Sequence, residues 1–318
     1  MAEEKKPKVL ITGARGALAQ QVITRMKSHF RLVIVDFRRR VVMDEDIPSY
    51  FVHITKRGFE DIFREHKIDG IIHLGRMESD ESNRFSRYNA NVLGTQNMLD
   101  LCIKYNVSQV LILSTFFVYG ANAYNPVPLD EGAPLKASAL TKNLVDTVEL
   151  ENLAHIYMWK HRDLNLTILR PCNIVGPGVR NSMSLLLSRK TSPVLIGFNP
   201  MMQFIHIGDI AKAIVKAYKK NTPGIYNVAP NDWVGYQDAL VASGCRRIPI
   251  PSIPPVVPMT ISRFLNLKSF PSYLINYFKY PAIIDGSLFA KTFNFKPSRG
   301  LDYIFQHYRR KKSKKPID

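Results

Sequence analysis

Cysteine is scarce in this chain and acid is in short supply. Three cysteines among 318 residues, Cys102, Cys172 and Cys245, are odd in number and too far apart for a metal knuckle. That argues against a disulfide framework and suits a reducing compartment. Long apolar runs are also missing. The strongest, Val110 to Tyr119, is far below the ~20 residues a bilayer-spanning helix requires. The opening Met1-Ala2-Glu3-Glu4-Lys5-Lys6 lacks the apolar segment of a secretory leader, so the expectation is a cytoplasmic protein with no integral membrane segment. Internal repeats and low-complexity linkers are absent. Acids number 26 against 44 Lys and Arg, a net charge of +18, and such a surface attracts phosphorylated ligands, acidic proteins or anionic membranes. Part of the excess is local: Arg309-Arg310-Lys311-Lys312-Ser313-Lys314-Lys315 makes a basic tail over 309–318, read as a solvated end open to an anionic partner.

What is present begins at Lys8. Lys8-Val9-Leu10-Ile11 is short, branched and continuously apolar, the pattern of a buried parallel strand. Thr12-Gly13-Ala14-Arg15-Gly16-Ala17-Leu18-Ala19 then turns into a helix whose apolar residues Leu18, Val22, Ile23 and Met26 recur at helical spacing. Gly13 permits the tight turn, Gly16 lets backbone approach a pyrophosphate, and Ala19 allows helix and strand to pack closely. The first helical turn, with Ala17 and Leu18, offers free N–H groups and partial positive charge to phosphates. Leu32 to Val35 is the next strand. Asp36 follows it, twenty residues after Gly16, where an acid accepts hydrogen bonds from an adenosine ribose. The combination points to a nicotinamide dinucleotide. Arg15 and Arg38, beside the acid, keep NADP open as the alternative to NAD.

Further strands are expected at Tyr50–Ile54, Gly70–Gly75, Val110–Leu113, Leu166–Arg170 and Gly224–Val228. Helices are expected at Phe59–His66, Asn83–Tyr105, Leu140–His161 and Ile210–Lys219, the last capped by Asp209. This alternation gives an α/β fold, a Rossmann-type doubly wound parallel sheet. Its dinucleotide-binding domain is read as 1–170, with 204–229 returning to it. Residues 171–203 and 230–308 form a smaller C-terminal α/β lobe for substrate or ligand. The prolines 249, 251, 254, 255 and 258 and the aromatics from Phe264 to Tyr280, interspersed with Arg263, Lys268 and Lys279, are read as part of that lobe.

Taken in order, the Thr12 glycine turn, Asp36, His73-Leu74-Gly75, Asn91-Val92-Leu93-Gly94-Thr95, Ser114-Thr115-Phe116-Phe117-Val118-Tyr119-Gly120, Arg170-Pro171, Asn173 to Gly178 and Phe204 to Ala211 resemble the extended short-chain dehydrogenase/reductases, the NAD-dependent epimerase/dehydratase family. The resemblance implies cofactor contacts at Gly13, Arg15, Gly16, Ala17, Leu18, Asp36, Arg38, Ile54, Leu74, Gly75, Arg76, Asn91, Lys142 and Pro171. It implies substrate contacts at Thr115 and Asn173, a small ligand that is nucleotide-linked in many members, and a homodimer formed through the two long helices.

The resemblance also implies a proton relay. A Tyr phenolate takes the substrate's hydroxyl proton as hydride passes to the cofactor, a Lys lowers the Tyr pKa, and a Ser or Thr orients the oxygen. Thr115 falls on the hydroxyl position and Lys142 on the lysine position, but Ser138 stands where the family carries Tyr. An aliphatic hydroxyl titrates far above a phenol's ~10 and is several Å shorter. Tyr119 and Tyr124 are the near tyrosines. Phe116 and Phe117 occupy the places where family dehydratases have Asp and Glu, which disfavours sugar dehydration, and Met202-Gln203 replaces an Arg-Asp pair. The expectation is a cofactor-binding pseudoenzyme acting as sensor or interaction protein. Its rivals are a working nucleotide-sugar epimerase or oxidoreductase and a nucleic-acid or membrane binder using the tail.

Overall fold

A computed structural model describes residues 6–38, 41, 46–77, 83–252 and 274–313. Seven strands form one parallel sheet: β1 (Lys8–Thr12), β2 (Arg31–Asp36), β3 (Ser49–Phe51), β4 (Gly70–His73), β5 (Gln109–Leu113), β6 (Asn165–Pro171) and β11 (Gly224–Val228). Their spatial order is β11-β6-β5-β4-β1-β2-β3, and every pairing is parallel, as in Leu10 opposite Val33 on one side and Ile71 on the other. The sheet is Rossmann-type and doubly wound. The chain order reverses between β1 and β4, which opens a crevice at their C-terminal ends.

Burial explains the apolar strands. Val9, Leu10 and Ile11 are fully enclosed, because helices cover both faces. One face packs against α1 (Ala17–Met26) and the helix Ile207–Lys220. The other packs against α2 (Arg57–Glu65), Gly94–Lys104 and Val145–Lys160. Beyond β6 the chain builds small two-stranded sheets. β7 (Asn173–Val175) pairs with β10 (Phe204–His206), β8 (Thr191–Leu195) with β13 (Arg246–Ile250), and β9 (Met201–Met202) with β12 (Val234–Gly235).

Two long helices expected from periodicity are interrupted. The first runs as Arg84–Tyr88, a π-turn at Asn89–Leu93, and Gly94–Lys104. The π-turn carries Asn91, whose amide donates to Met77 O and to Asp146 Oδ2 (2.6 Å), and its carbonyl oxygen accepts from Met77 N (2.9 Å). A widened turn at a polar anchor of this kind is a common use of π geometry. The second does not start at Leu140. A one-turn helix, Ala137–Leu140, ends at Thr141, whose backbone is extended (φ −156°, ψ 136°); a 3₁₀ turn Lys142–Leu144 follows, and only then the helix Val145–Lys160. The Thr141 hydroxyl accepts from Asn143 N, so a local cap competes with helix continuation.

Two smaller expectations are corrected. His206, not Asp209, caps the helix Ile207–Lys220 by accepting from Gly208 N (3.0 Å); Asp209 accepts from Ser298 Oγ and Arg299 N. The start of the basic tail is not a free end, since the helix Leu301–Ser313 runs through it. Lys312 Nζ donates to the carbonyls of Leu187 (2.7 Å) and Ser243 (2.6 Å). Lys314, Lys315, Arg39, Arg40, Arg263, Phe264, Lys268 and prolines 254, 255 and 258 lie outside the described residues. Among the described residues no helix is long and apolar enough to cross a membrane.

Candidate cofactor and ligand site

The glycine turn is fixed by its own collisions. Gly13 has φ +69°, and a Cβ there would sit 2.5 Å from Gly75 Cα, so no other residue fits without moving the end of β4. Gly16 differs. Its backbone is ordinary (φ −62°, ψ 141°), and the one atom within 4 Å of an added Cβ is Gly13 O at 3.3 Å. The protein's own packing barely needs a glycine at 16, yet Gly16 lines a cavity at the start of α1. That is the place where a side chain would exclude a phosphate.

A buried hydrogen-bond chain holds the crevice walls together. Gly75 N donates to Thr12 Oγ1 (3.2 Å), which lies 2.7 Å from His73 Nδ1; His73 Nε2 reaches Thr95 Oγ1, whose hydroxyl donates to Asn91 O (2.6 Å). Burial lowers the His73 pKa to about 4, so the ring is neutral. Only one direction then satisfies every group: Thr12 donates to Nδ1 and Nε2–H donates to Thr95.

Asp36 ends β2 with its carboxylate aimed at the turn. Oδ2 accepts from Arg15 N and Oδ1 from Arg38 N, each at 2.9 Å. Two amides leave each oxygen a further lone pair for a ribose hydroxyl. These features fit the adenosine half of a nicotinamide dinucleotide.

The cavity is about 410 Å³ and continuous. Gly13, Gly16, Asp36, Arg38, Leu74, Gly75 and Arg76 line it beyond β1, β2 and β4, and Ser114, Thr115, Pro171 and Asn173 line it beyond β5 and at the end of β6, where the lobe begins. Ile54 and Asn91 line a smaller pocket beside Asp36 and Gly75. Arg15, Ala17 and Leu18 sit in the turn and the first helical turn without lining the cavity. Arg76 reaches across to Thr147 Oγ1. Thr115 caps a 3₁₀ turn, its Oγ1 accepting from Phe117 N (3.3 Å).

Ser138 and Lys142 are not brought to this cavity. Lys142 is exposed, Ser138 is half-buried, and the extended Thr141 between them breaks the helical repeat that would set the two side chains one above the other. The nearby tyrosines do not line the cavity either. Tyr119 is 1% exposed, donates to Asn227 Oδ1 (2.8 Å) and accepts from Arg170 (2.8 Å), and burial pushes its pKa up to about 12. Tyr124 is 91% exposed.

A buried polar cluster lies behind Thr115. Ser114 donates to Glu151 Oε1, and Arg170 Nε donates to Glu151 Oε2 (2.8 Å). Glu151 and Arg170 are both fully enclosed, so this pair anchors the helix Val145–Lys160 to β6.

Sequence reasoning missed the far wall, above all Tyr277. Its hydroxyl donates to Phe117 O (2.8 Å), and its ring meets Phe117 edge-on at 4.7 Å. No motif marks Tyr277; only the tertiary fold brings it to Phe117 and the cavity that Thr115 lines.

A profile of the NAD dependent epimerase/dehydratase family matches residues 9–229. The UDP-glucose 4-epimerase of Caenorhabditis elegans is 26% identical over 304 residues, covering 76% of this chain and 84% of that one. An uncharacterised protein of Mycobacterium tuberculosis is 22% identical over 228 residues, covering 71% of this chain, which spans 61% of that protein's length. Among solved structures, the UDP-glucose 4-epimerase of Thermus thermophilus, in complex with NAD, superposes with a TM-score of 0.75 at 17% identity, over 95% of this chain and 99% of that one.

Proposed function

Because this chain belongs to the NAD dependent epimerase/dehydratase family, we propose that it holds NAD across the glycine turn and Asp36 without the family's proton relay, and works as a cofactor-dependent ligand sensor. Gly13, Gly16 and the first turn of α1 receive the pyrophosphate, Asp36 the ribose, and Ile54 with Asn91 the adenine side. NAD, when bound, supplies a nicotinamide ring able to exchange hydride. The chain's contribution beside that ring is the Thr115 hydroxyl, which orients an oxygen but is no base at neutral pH.

One observation carries the reading: Ser138 and Lys142 lie outside the cavity that Thr115 lines, separated by an extended residue. A lysine in water and a serine on another turn cannot generate a phenolate-like base beside Thr115. The test pairs binding with turnover. NAD is expected to bind one equivalent per chain, with no interconversion of UDP-glucose and UDP-galactose and no reduced nicotinamide. Turnover by the unmodified protein contradicts the reading.

Tyr277 favours a second reading, a working oxidoreductase, since it sets a phenol on the cavity wall near Thr115. Turnover abolished by Tyr277→Phe would support it. The Tyr277 proton is committed to Phe117 O, which ranks this reading second. A homodimer is part of the proposal: Phe85, Leu93, Ile156 and Trp159 are exposed on the two helical segments Arg84–Lys104 and Val145–Lys160, apolar surface of the kind subunit contacts cover. The three cysteines, all buried and free, accord with a cytoplasmic setting.

A further inference from the structure

The two ends of the cavity differ in chemistry. Both cations on its described wall, Arg38 and Arg76, follow β2 and β4 at the glycine-turn end. The lobe end is lined by Phe116, Phe117, Met183, Leu186, Met202 and Phe278, and among the described residues it has no Lys, Arg or His. Phe116 and Phe117 stack at 4.4 Å, and Tyr277 closes on both edge-on, giving a continuous aromatic wall.

Most polar side chains at that end bond within the protein. Asn173 donates to Gln203 O (3.0 Å). Asn181 donates to Ile174 O (2.7 Å) and accepts from Ser184 N (2.8 Å), capping a helix. Gln203 turns inward, donating to Pro230 O and Ile284 O and accepting from Ile284 N. Ser114 donates to buried Glu151 and Tyr277 to Phe117 O. Thr115 and Ser182 are the exceptions: the Thr115 oxygen accepts from Phe117 N, which leaves its hydroxyl hydrogen for a ligand oxygen, and the half-buried Ser182 adds a second hydroxyl to the wall.

A diphosphate seated here would lose its water and gain no cation from the described residues of this wall, a large cost for buried charge. An apolar body with one oxygen matches both the wall and its few free donors. We infer that the lobe end of this cavity takes an uncharged, largely apolar alcohol or ketone, with its oxygen at Thr115, and discriminates against nucleotide diphosphate sugars. The inference names the ligand class of the site proposed above and rests on that reading for the cofactor's position.

Equilibrium dialysis of the full chain against farnesol, androsterone and UDP-glucose, each with and without saturating NAD, tests it. At least one apolar probe is expected to bind about tenfold more tightly than UDP-glucose. Met201→Lys, at a 47% exposed position that tolerates charge, and Met202→Arg both place a cation on the lobe wall. Each is expected to weaken the apolar probe about fivefold or more while the NAD dissociation constant stays within about twofold. UDP-glucose binding as tightly as either apolar probe overturns the inference, as does failure of both probes to bind. Unchanged probe affinity in Met201→Lys overturns it even where Met202→Arg fails to fold. Apolar probes binding without NAD, with NAD itself not bound, would support this inference and count against the cofactor reading.

Discussion

The glycine turn and the stretch Ala137–Leu144 belong to one nucleotide-binding unit, yet the structure constrains them very differently. At the turn, Gly13 sits against Gly75 with no room for a methyl group, and three side chains, Thr12, His73 and Thr95, run in a buried line that ends on the Asn91 carbonyl. Along Ala137–Leu144 the backbone breaks at Thr141, and Lys142 reaches into water. The difference teaches that the two stretches are held by different means: the turn by a steric fit that admits only glycine at 13, the stretch Ala137–Leu144 by a local hydroxyl cap at Thr141.

The comparison is broken most severely from behind Thr115. Glu151→Ala leaves the Arg170 guanidinium enclosed without its carboxylate and is expected to destabilise the fold by about 3–5 kcal/mol, measured by denaturant unfolding. At the turn, Gly13→Ala forces a strained backbone into contact with Gly75, with an expected loss of about 3 kcal/mol and of detectable NAD binding. Acid gives a third, comparable effect. His73 and His206 are both held at a pKa of about 4 by burial. Below the ordinary 6.5 the unfolded chain takes up protons that the folded chain refuses, so their stabilisation is complete above that pH and is lost as pH falls towards 4. For His73 alone this amounts to about 3 kcal/mol. Thermal melts from pH 7 to 4 should fall accordingly, and His73→Gln should flatten the fall.

Smaller effects sharpen the contrast. Asp36→Asn keeps the shape but weakens acceptance of a ribose hydroxyl, with an expected loss of about tenfold in NAD affinity by calorimetry. Ser138→Tyr alone is expected to give no turnover, because Thr141 holds Lys142 on a different turn.

The sheet was legible because parallel strands buried on two faces read as unbroken branched runs, and the glycine turn because its spacing follows from steric need. The break at Thr141 was not: Leu140 to His161 has helical periodicity throughout, and a hydroxyl cap competing with one more helical turn is decided by tertiary packing. Asn91 was legible as a motif residue, but not the π-turn that points it at Asp146. Tyr277 was legible only as one of the lobe's aromatics, since no local pattern brings it to Phe117 and the cavity wall. The Lys312 contacts show the same limit from the other side: a cationic run looked like solvated tail, yet one of its amines closes two carbonyls of the core lobe.

The most direct measurement is the calorimetric affinity of NAD for Lys142→Ala beside the unmodified chain. Retention of one site per chain, with a dissociation constant within about twofold of the original, is what a cofactor gripped at the glycine turn, Asp36 and the Ile54–Asn91 pocket without Lys142 requires. No heat with either protein, or binding that vanishes with the Lys142 side chain, would contradict it.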